Sequence, residues 1–234
     1  MTDSKPDFLI YGSPVSPFVR KALATTIEKG VGFEVEAVSV LDMPDWFVAI
    51  SPMRRIPVLR DRSIATEGVD GTIADSGAIC AYIERKHPEP AVYPPEPFAY
   101  GRALAVEEYA DTVLAPVGGL GIFRPIFFSL MGGKDPDLAT ARAAWADKLP
   151  PVFDQLTSEL GDKQFMVGDN FTIADIAVTC TFMQIALVAE TPLDSWPALS
   201  AYFERMAQRP SIAGPYAQAD RFIRKALPER FDLT

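Results

Sequence analysis

Two hydroxyls, Ser13 and Ser16, stand close together in the stretch Leu9-Ile10-Tyr11-Gly12-Ser13-Pro14-Val15-Ser16-Pro17-Phe18-Val19-Arg20-Lys21. An apolar run ends at Gly12, and apolar residues then recur at Val19, Leu23 and Ile27, the spacing of one helix face. Ser16 sits where a helix N-cap belongs, and Pro17 takes the first helical position, where its missing N–H loses no partner. The helix start turns open N–H groups and a positive dipole end toward the loop, which favours an anion there, and a thiolate is one such anion. A further hydroxyl, Ser76, follows Asp75 at a second N-cap signal, and Arg54-Arg55 precede Ile56-Pro57.

Other chemistry is poorly supplied. One histidine, His87, and two cysteines, Cys80 and Cys180, leave little with which to build a transition-metal site. His87 precedes Pro88 at a helix end, where a last-turn cation caps carbonyls. Both cysteines lie in apolar helical patterns far apart in sequence, which reads as buried reduced thiols in a cytosolic compartment rather than a disulfide. The net charge is -9, with 31 acids against 22 bases, so the whole-chain field repels nucleic acid and anionic membranes. At 48% apolar and 23% charged, the composition is that of an ordinary globular protein. The opening Met1 to Asp7 is polar and has no signal-peptide pattern. The longest apolar stretch, Ile176 to Ala189, is interrupted by Thr179, Thr181 and Gln184 and falls short of the ~20 residues a bilayer requires. A soluble, cytoplasmic chain is expected.

After the first strand and helix, Phe33 to Val38 alternates as a half-exposed strand, completing a βαβ unit. Pro44 to Ile50 is weakly patterned. Ser51 to Leu59 reads as a loop entering a strand, and Asp61 to Ala74 as a further hairpin of two short apolar pieces around Gly68 and Gly71. A helix then opens at Asp75-Ser76, with Ile79, Tyr82 and Ile83 as its inner stripe. Five of the ten residues from Pro88 to Pro97 are proline, which marks a domain boundary: residues 6–87, a linker over 88–97, and residues 98–234.

Beyond the linker only helices are expected. The pattern starting near Phe98 should kink or break around Pro116, Gly118, Gly119 and Gly121. Trp145, Leu149, Val152, Phe153, Leu156 and Leu160 fall at helical spacing, but Pro150 and Pro151 must bend or split that helix. Thr172 as N-cap, Asp175 at N3 and Phe171 stapled to Ile176 start a helix apolar nearly all round, the expected centre of the second domain. Leu199, Tyr202, Phe203 and Met206 stripe one more, closed by Arg209-Pro210.

Ser16-Pro17-Phe18, followed by Glu28-Lys29-Gly30, resembles the active-site loop of the cytosolic glutathione transferases, with serine as in bacterial, tau, zeta or omega-like members. Ile56-Pro57-Val58-Leu59 resembles the family's Val-Pro-Val-Leu stretch, Asp75-Ser76 its acid-serine pair, and Thr172-Ile173-Ala174-Asp175 its second-domain capping box. The resemblance implies an α/β thioredoxin-like domain ordered βαβββα, an all-α C-terminal bundle, a cis Ile56-Pro57 bond and a homodimer. It implies Ser16 at the glutathione thiol, with Ser13 as the alternative hydroxyl. It also implies that Phe18, Arg55, Ile56, Pro57, Asp75 and Ser76 form the glutathione-binding set. Phe123, Phe127, Phe128 and Met131 lie where the family builds its apolar second-substrate site. Arg54-Arg55 departs from the family's usual Gly-Lys, and the segment Asp61 to Ala74 is longer than usual.

Each assignment has a purely structural competitor. Ser16 and Ser76 are also adequate as simple caps, Arg55 as a solvated surface arginine, and aromatics at helical spacing as core. The implied activity is activation of the glutathione thiol for attack on a hydrophobic electrophile, a detoxification chemistry without metal. Glutathione-dependent reduction of disulfides or peroxides, and a non-catalytic interaction protein on the same fold, are the competing functions.

Overall fold

Alternation along β1 (Phe8–Tyr11) organises the first unit, because successive side chains of a strand point to opposite faces. Phe8 and Ile10 join Leu59, Val19, Leu23, Ile79 and Ile83 on one face. Leu9 and Tyr11 join Val58, Phe47 and Ile50 on the other. The computed structural model describes residues 5–234. The polar opening read above begins at residues 1–4, outside the described residues.

The sheet has the order β2-β1-β3-β4, with β2 (Phe33–Glu36) parallel to β1, and β3 (Val58–Asp61) and β4 (Thr72–Ala74) each antiparallel to its neighbour. Helices α1 (Pro17–Glu28) and α3 (Ser76–Lys86) cover one face. The weakly patterned segment after Pro44 is a short helix, α2 (Asp45–Ile50), which buries only Phe47 and Ile50. Two apolar positions three apart make a single helical contact, too little to show as periodicity. Between Asp61 and Ala74, only one of the two apolar pieces is a strand: β4 pairs with β3, and residues 62–71 form a loop whose Ile64 and Val69 are exposed.

The chain separates into one compact unit ending at Val92 and a second, Tyr93–Thr234. The proline segment after α3 is tied down rather than loose. The buried Lys29 ammonium donates to the carbonyls of Pro88 (3.0 Å) and Pro90 (2.7 Å) and pairs with Glu84. Pro97 belongs to the next helix, at its first position, where the Glu96 carboxylate accepts from Phe98 and Ala99 N–H at 3.0 and 2.7 Å.

Helix α4 (Pro97–Met131) runs unbroken through the expected break. Two wide π-helical stretches, Ala110–Leu114 and Gly119–Phe128, precede Pro116 and enclose Pro125, and the wider turn gives a proline ring room against the preceding turn. Gly118 and Gly121 serve close packing instead of termination. A Cβ on Gly118 would lie 2.8 Å from Ile185 Cγ1, and one on Gly121 2.7 Å from Ala144 Cβ. By length and composition α4 alone would pass for a bilayer-crossing helix, longer than the stretch singled out above, but it packs against the helices of its own unit.

Helix α5 (138–160) also stays continuous, with a π stretch at Ala144–Lys148 just before Pro150 and Pro151. Helix α6 (Ile173–Ile185) is buried at every position and forms the centre of the unit. Its start is the expected capping box: Asp175 Oδ2 accepts from Thr172 N–H at 2.9 Å, while Oδ1 accepts from Met166 N–H (2.8 Å) and Tyr202 O–H (2.9 Å). Burial pushes the Asp175 carboxyl up, against these hydrogen bonds. Helix α7 (Pro197–Ala207) buries the predicted Leu199, Tyr202, Phe203 and Met206. A last helix, α8 (Pro210–Ile223), was not expected; Arg209-Pro210 reads as a stop but is also a proline-first start.

Candidate functional site

The loop between β1 and α1 is shaped by close approach at Gly12. A Cβ there would lie 2.6 Å from Val19 Cγ2 and 3.4 Å from Ile56 Cβ, so the loop, the first turn of α1 and the residue before Pro57 converge on one glycine. Ser13 Oγ accepts from Val15 N–H at 3.4 Å, and the Ser13 carbonyl accepts from Ser16 N–H at 2.9 Å. Ser16 is the N-cap of α1, with its Oγ accepting from Val19 N–H at 3.5 Å and Pro17 next in line. No acidic residue lies in the first turn, so its positive end is not neutralised from within the helix. Buried Arg20, which the sequence did not single out, donates to the carbonyls of Pro14 (2.7 Å) and Val15 (3.1 Å) and fixes the loop from beneath.

The Ile56-Pro57 bond is cis, as the resemblance implied. Buried Ser51 supports the turn leading to it, donating to the Arg55 carbonyl at 2.8 Å and accepting from Arg55 N–H at 3.2 Å. Arg55 itself is exposed, Ile56 is half-buried and Pro57 is buried. At the start of α3, Asp75 is the N-cap with φ 76° and ψ 134°, its Oδ1 accepting from Gly77 N–H at 3.1 Å. A side chain in that region costs about 1–3 kcal/mol and persists only where neighbours hold it. Asp75 is exposed and Ser76 is buried beside it.

Strand register assembles these pieces. Tyr11 pairs with Val58, and Val58 pairs with Ala74. One lateral row across the sheet therefore ends in Gly12-Ser13 on β1, begins after Ile56-Pro57 on β3 and runs into Asp75-Ser76 on β4. Gly12-Ser13, Ile56-Pro57 and Asp75-Ser76 thus flank the same end of the sheet, with Arg55 one residue outside, while Ser16 and Phe18 lie at the start of α1, where the β1–α1 loop leads.

The four aromatic and methionine candidates belong to the second unit. Phe123 and Phe127 are buried, with ring centroids 5.4 Å apart; Phe128 is half-buried and Met131 exposed. Phe222 of α8, unremarked in the sequence, completes this cluster 6.3 Å from Phe127. Among the described residues, no group of three or more His, Cys, Asp or Glu is placed to hold a metal ion.

Residues 10–91 match the glutathione S-transferase N-terminal domain, and residues 122–210 match the glutathione S-transferase C-terminal domain. The chain belongs to the cytosolic glutathione transferase superfamily. Among curated relatives of that superfamily, it is 27% identical over 214 residues to "Probable glutathione S-transferase DHAR1, cytosolic" of Oryza sativa subsp. japonica, spanning 88% of this chain and 86% of the relative. A second rice relative, "Probable glutathione S-transferase DHAR2, chloroplastic", is 26% identical over 174 residues; the match spans 73% of this chain and about half, 53%, of that protein. The solved structure of a glutathione S-transferase from Rhodospirillum rubrum F11 superposes with a TM-score of 0.77 at 21% identity, covering 89% of this chain and 91% of the other. The first unit is the thioredoxin-like domain of a glutathione transferase fold, and the second its all-helical domain.

Proposed function

We propose that the protein binds glutathione along the Tyr11–Val58–Ala74 row and activates its thiol for attack on a small hydrophobic electrophile. The row itself is the observation that carries the reading. Three neighbouring strands place their loop ends across about 10 Å, since strands lie roughly 4.8 Å apart. An extended tripeptide has a similar reach, about 10 Å. In this arrangement Asp75 and Ser76 hold the γ-glutamyl end, the backbone before Pro57 meets the cysteinyl residue, and the thiol lies at the β1–α1 loop. Both candidate serines already accept a local N–H, so each hydroxyl proton is the part that remains to donate to sulfur. A thiol of pKa ~8.5 is only a few per cent ionised at neutral pH; a donated hydroxyl and an unneutralised helix N-terminus both favour the thiolate.

A glutathione-dependent reductase is the second reading, favoured by relatives that bear the name DHAR, for dehydroascorbate reductase. Such chemistry is best served by a loop cysteine that forms a mixed disulfide. Here the position is Ser16, and both cysteines, Cys80 and Cys180, are buried elsewhere. Conjugation therefore ranks first.

An ultraviolet difference spectrum of the protein with glutathione, recorded across pH, tests the reading. Thiolate absorbance appearing at lower pH than for free glutathione is expected. No thiolate band at any pH below the free value would leave the fold without this function. Turnover with a chloronitrobenzene against turnover with dehydroascorbate then separates the two enzymatic readings.

A further inference from the structure

Adjacent residues at the end of β3 are both charged and both buried. Arg60 is 3% exposed and Asp61 1%. Because side chains alternate along a strand, the two point to opposite faces of the sheet. On one face, Arg60 Nε donates to Tyr11 O–H at 3.1 Å, while its two terminal nitrogens donate to the carbonyls of Asp70 (3.1 Å), Gly68 (2.6 Å) and Ala65 (3.4 Å). One guanidinium fork thus spans the 62–71 loop and the last residue of β1. On the other face, Asp61 Oδ2 accepts from Tyr82 O–H (2.6 Å) and pairs with Lys86, both on α3. Its Oδ1 accepts from Ser63 N–H (2.9 Å) and O–H (2.5 Å). The backbone closes the same knot: Asp61 N–H donates to the Gly71 carbonyl at 2.8 Å, and a Cβ on Gly71 would lie 2.8 Å from the Asp61 carbonyl oxygen.

The two knots flank the strained corner at Asp75. Asp75 holds an unfavourable φ with an exposed side chain, whose Oδ1 accepts from Gly77 N–H, and its carbonyl accepts from Ile79 N–H at 3.0 Å. What enters the corner is β4, led by the loop that Arg60 grips. What leaves it is α3, which Asp61 grips through Tyr82 and Lys86. Two buried charges side by side on one strand are costly to keep unless their partners are fully supplied, and here they are.

We propose that Arg60 and Asp61 are positioning residues for the γ-glutamyl end of glutathione, holding the Asp75-Ser76 corner from its two sides without touching the ligand. The inference rests on Asp75-Ser76 being part of the glutathione site. It assigns a role to the long 62–71 loop: the loop is a rigid strut whose carbonyls are the acceptors for Arg60.

The test is calorimetric titration of reduced glutathione into Arg60→Met, Arg60→Lys, Asp61→Asn and Ser76→Ala, each well below its melting temperature, with amide exchange followed over 63–77. Arg60→Met and Asp61→Asn are expected to bind about tenfold more weakly, the equivalent of one lost charge-assisted hydrogen bond, and to exchange faster across 72–77. Arg60→Lys, which keeps the charge but not the fork, should fall between wild type and Arg60→Met. A core variant on α1, packed against the same sheet, Leu23→Ala, should lose melting temperature yet keep its affinity and its exchange at the corner. If Arg60→Met does not fold, Arg60→Lys and Asp61→Asn decide with the same expected signs. Wild-type affinity and exchange in both Arg60→Lys and Asp61→Asn, with Ser76→Ala weakened, would overturn the positioning role alone. Unchanged affinity in Ser76→Ala would instead remove the corner from the glutathione site, and exchange over 72–77 would then report whether Arg60 and Asp61 hold it at all.

Discussion

The Ser16 hydroxyl accepts the Val19 N–H at 3.5 Å, so the residue nominated for the thiol is also the cap of α1. Its two roles separate by measurement. Ser16→Ala should raise the apparent pKa of bound glutathione thiol, at about 1.4 kcal/mol per unit, and slow conjugation in proportion, with a smaller effect on glutathione affinity. It should also destabilise the protein by about 1 kcal/mol as a lost cap. Ser13→Ala, whose hydroxyl only accepts from Val15 N–H, is the control. A wild-type thiol pKa in Ser16→Ala together with a raised one in Ser13→Ala moves the assignment to Ser13.

Ser76 and Arg55 differ in burial, and their variants should differ accordingly. Ser76 is 4% exposed, so Ser76→Ala should weaken glutathione binding by about 1–3 kcal/mol. Arg55 is exposed and its charge is screened, so Arg55→Ala should cost about 1 kcal/mol or less, and less still in high salt. Titration in low and high salt distinguishes them; equal salt sensitivity in the two variants would contradict the assignment.

Asp61 makes acid stability predictable. Burial alone raises its carboxyl, but hydrogen bonds from Lys86, Ser63 and Tyr82 outweigh burial and take it down to about 2. A pKa depressed on folding contributes stability above the unfolded value, near 3.8, and loses it as pH falls toward 2. Asp61→Asn should therefore be less stable than wild type by about 2 kcal/mol at neutral pH. The gap in urea unfolding free energy should close between about pH 4 and pH 2. A gap independent of pH would show that the charge is not what matters.

Asp175 has the opposite sign. Burial raises its carboxyl above the usual range, so its contribution is fullest below the unfolded pKa and declines as pH rises through the folded one. Its structural role is larger than this slope, because it accepts from Met166 N–H, Thr172 N–H and Tyr202 O–H in a buried place. Asp175→Ala should destabilise the second unit by about 3 kcal/mol, a cap plus buried donors left without partners. Thermal melting measures it; a loss under about 1 kcal/mol would mean water replaces the carboxylate.

A homodimer is the expected assembly, since twofold dimers are the commonest soluble oligomers and the superfamily typically forms them. Light scattering at micromolar concentration should report twice the 25.6 kDa chain mass. A mass of one chain would refute it.

Several features were legible in the amino-acid sequence because they depend on a few neighbouring residues. Ser16-Pro17 caps a helix wherever it stands, Thr172 and Asp175 close a box over three residues, and Leu199, Tyr202, Phe203 and Met206 declare one helical face. Other features depend on residues far apart in the chain, which packing alone brings together. Gly118 and Gly121 look like helix breakers until Ile185 and Ala144 press against them, and α4 continues because close packing and π turns outweigh local propensity. Arg60 and Asp61 are buried because sheet pairing brings Tyr11 to Arg60, the loop folds back to set the Gly68 carbonyl on it, and α3 packs Tyr82 and Lys86 against Asp61. The candidate site is of the same kind. Its serine, its proline and its acid-serine pair are each readable alone, but the Tyr11–Val58–Ala74 row that makes them neighbours is a matter of strand register, which forms only when buried faces on both sides of the sheet fix which residues lie opposite one another.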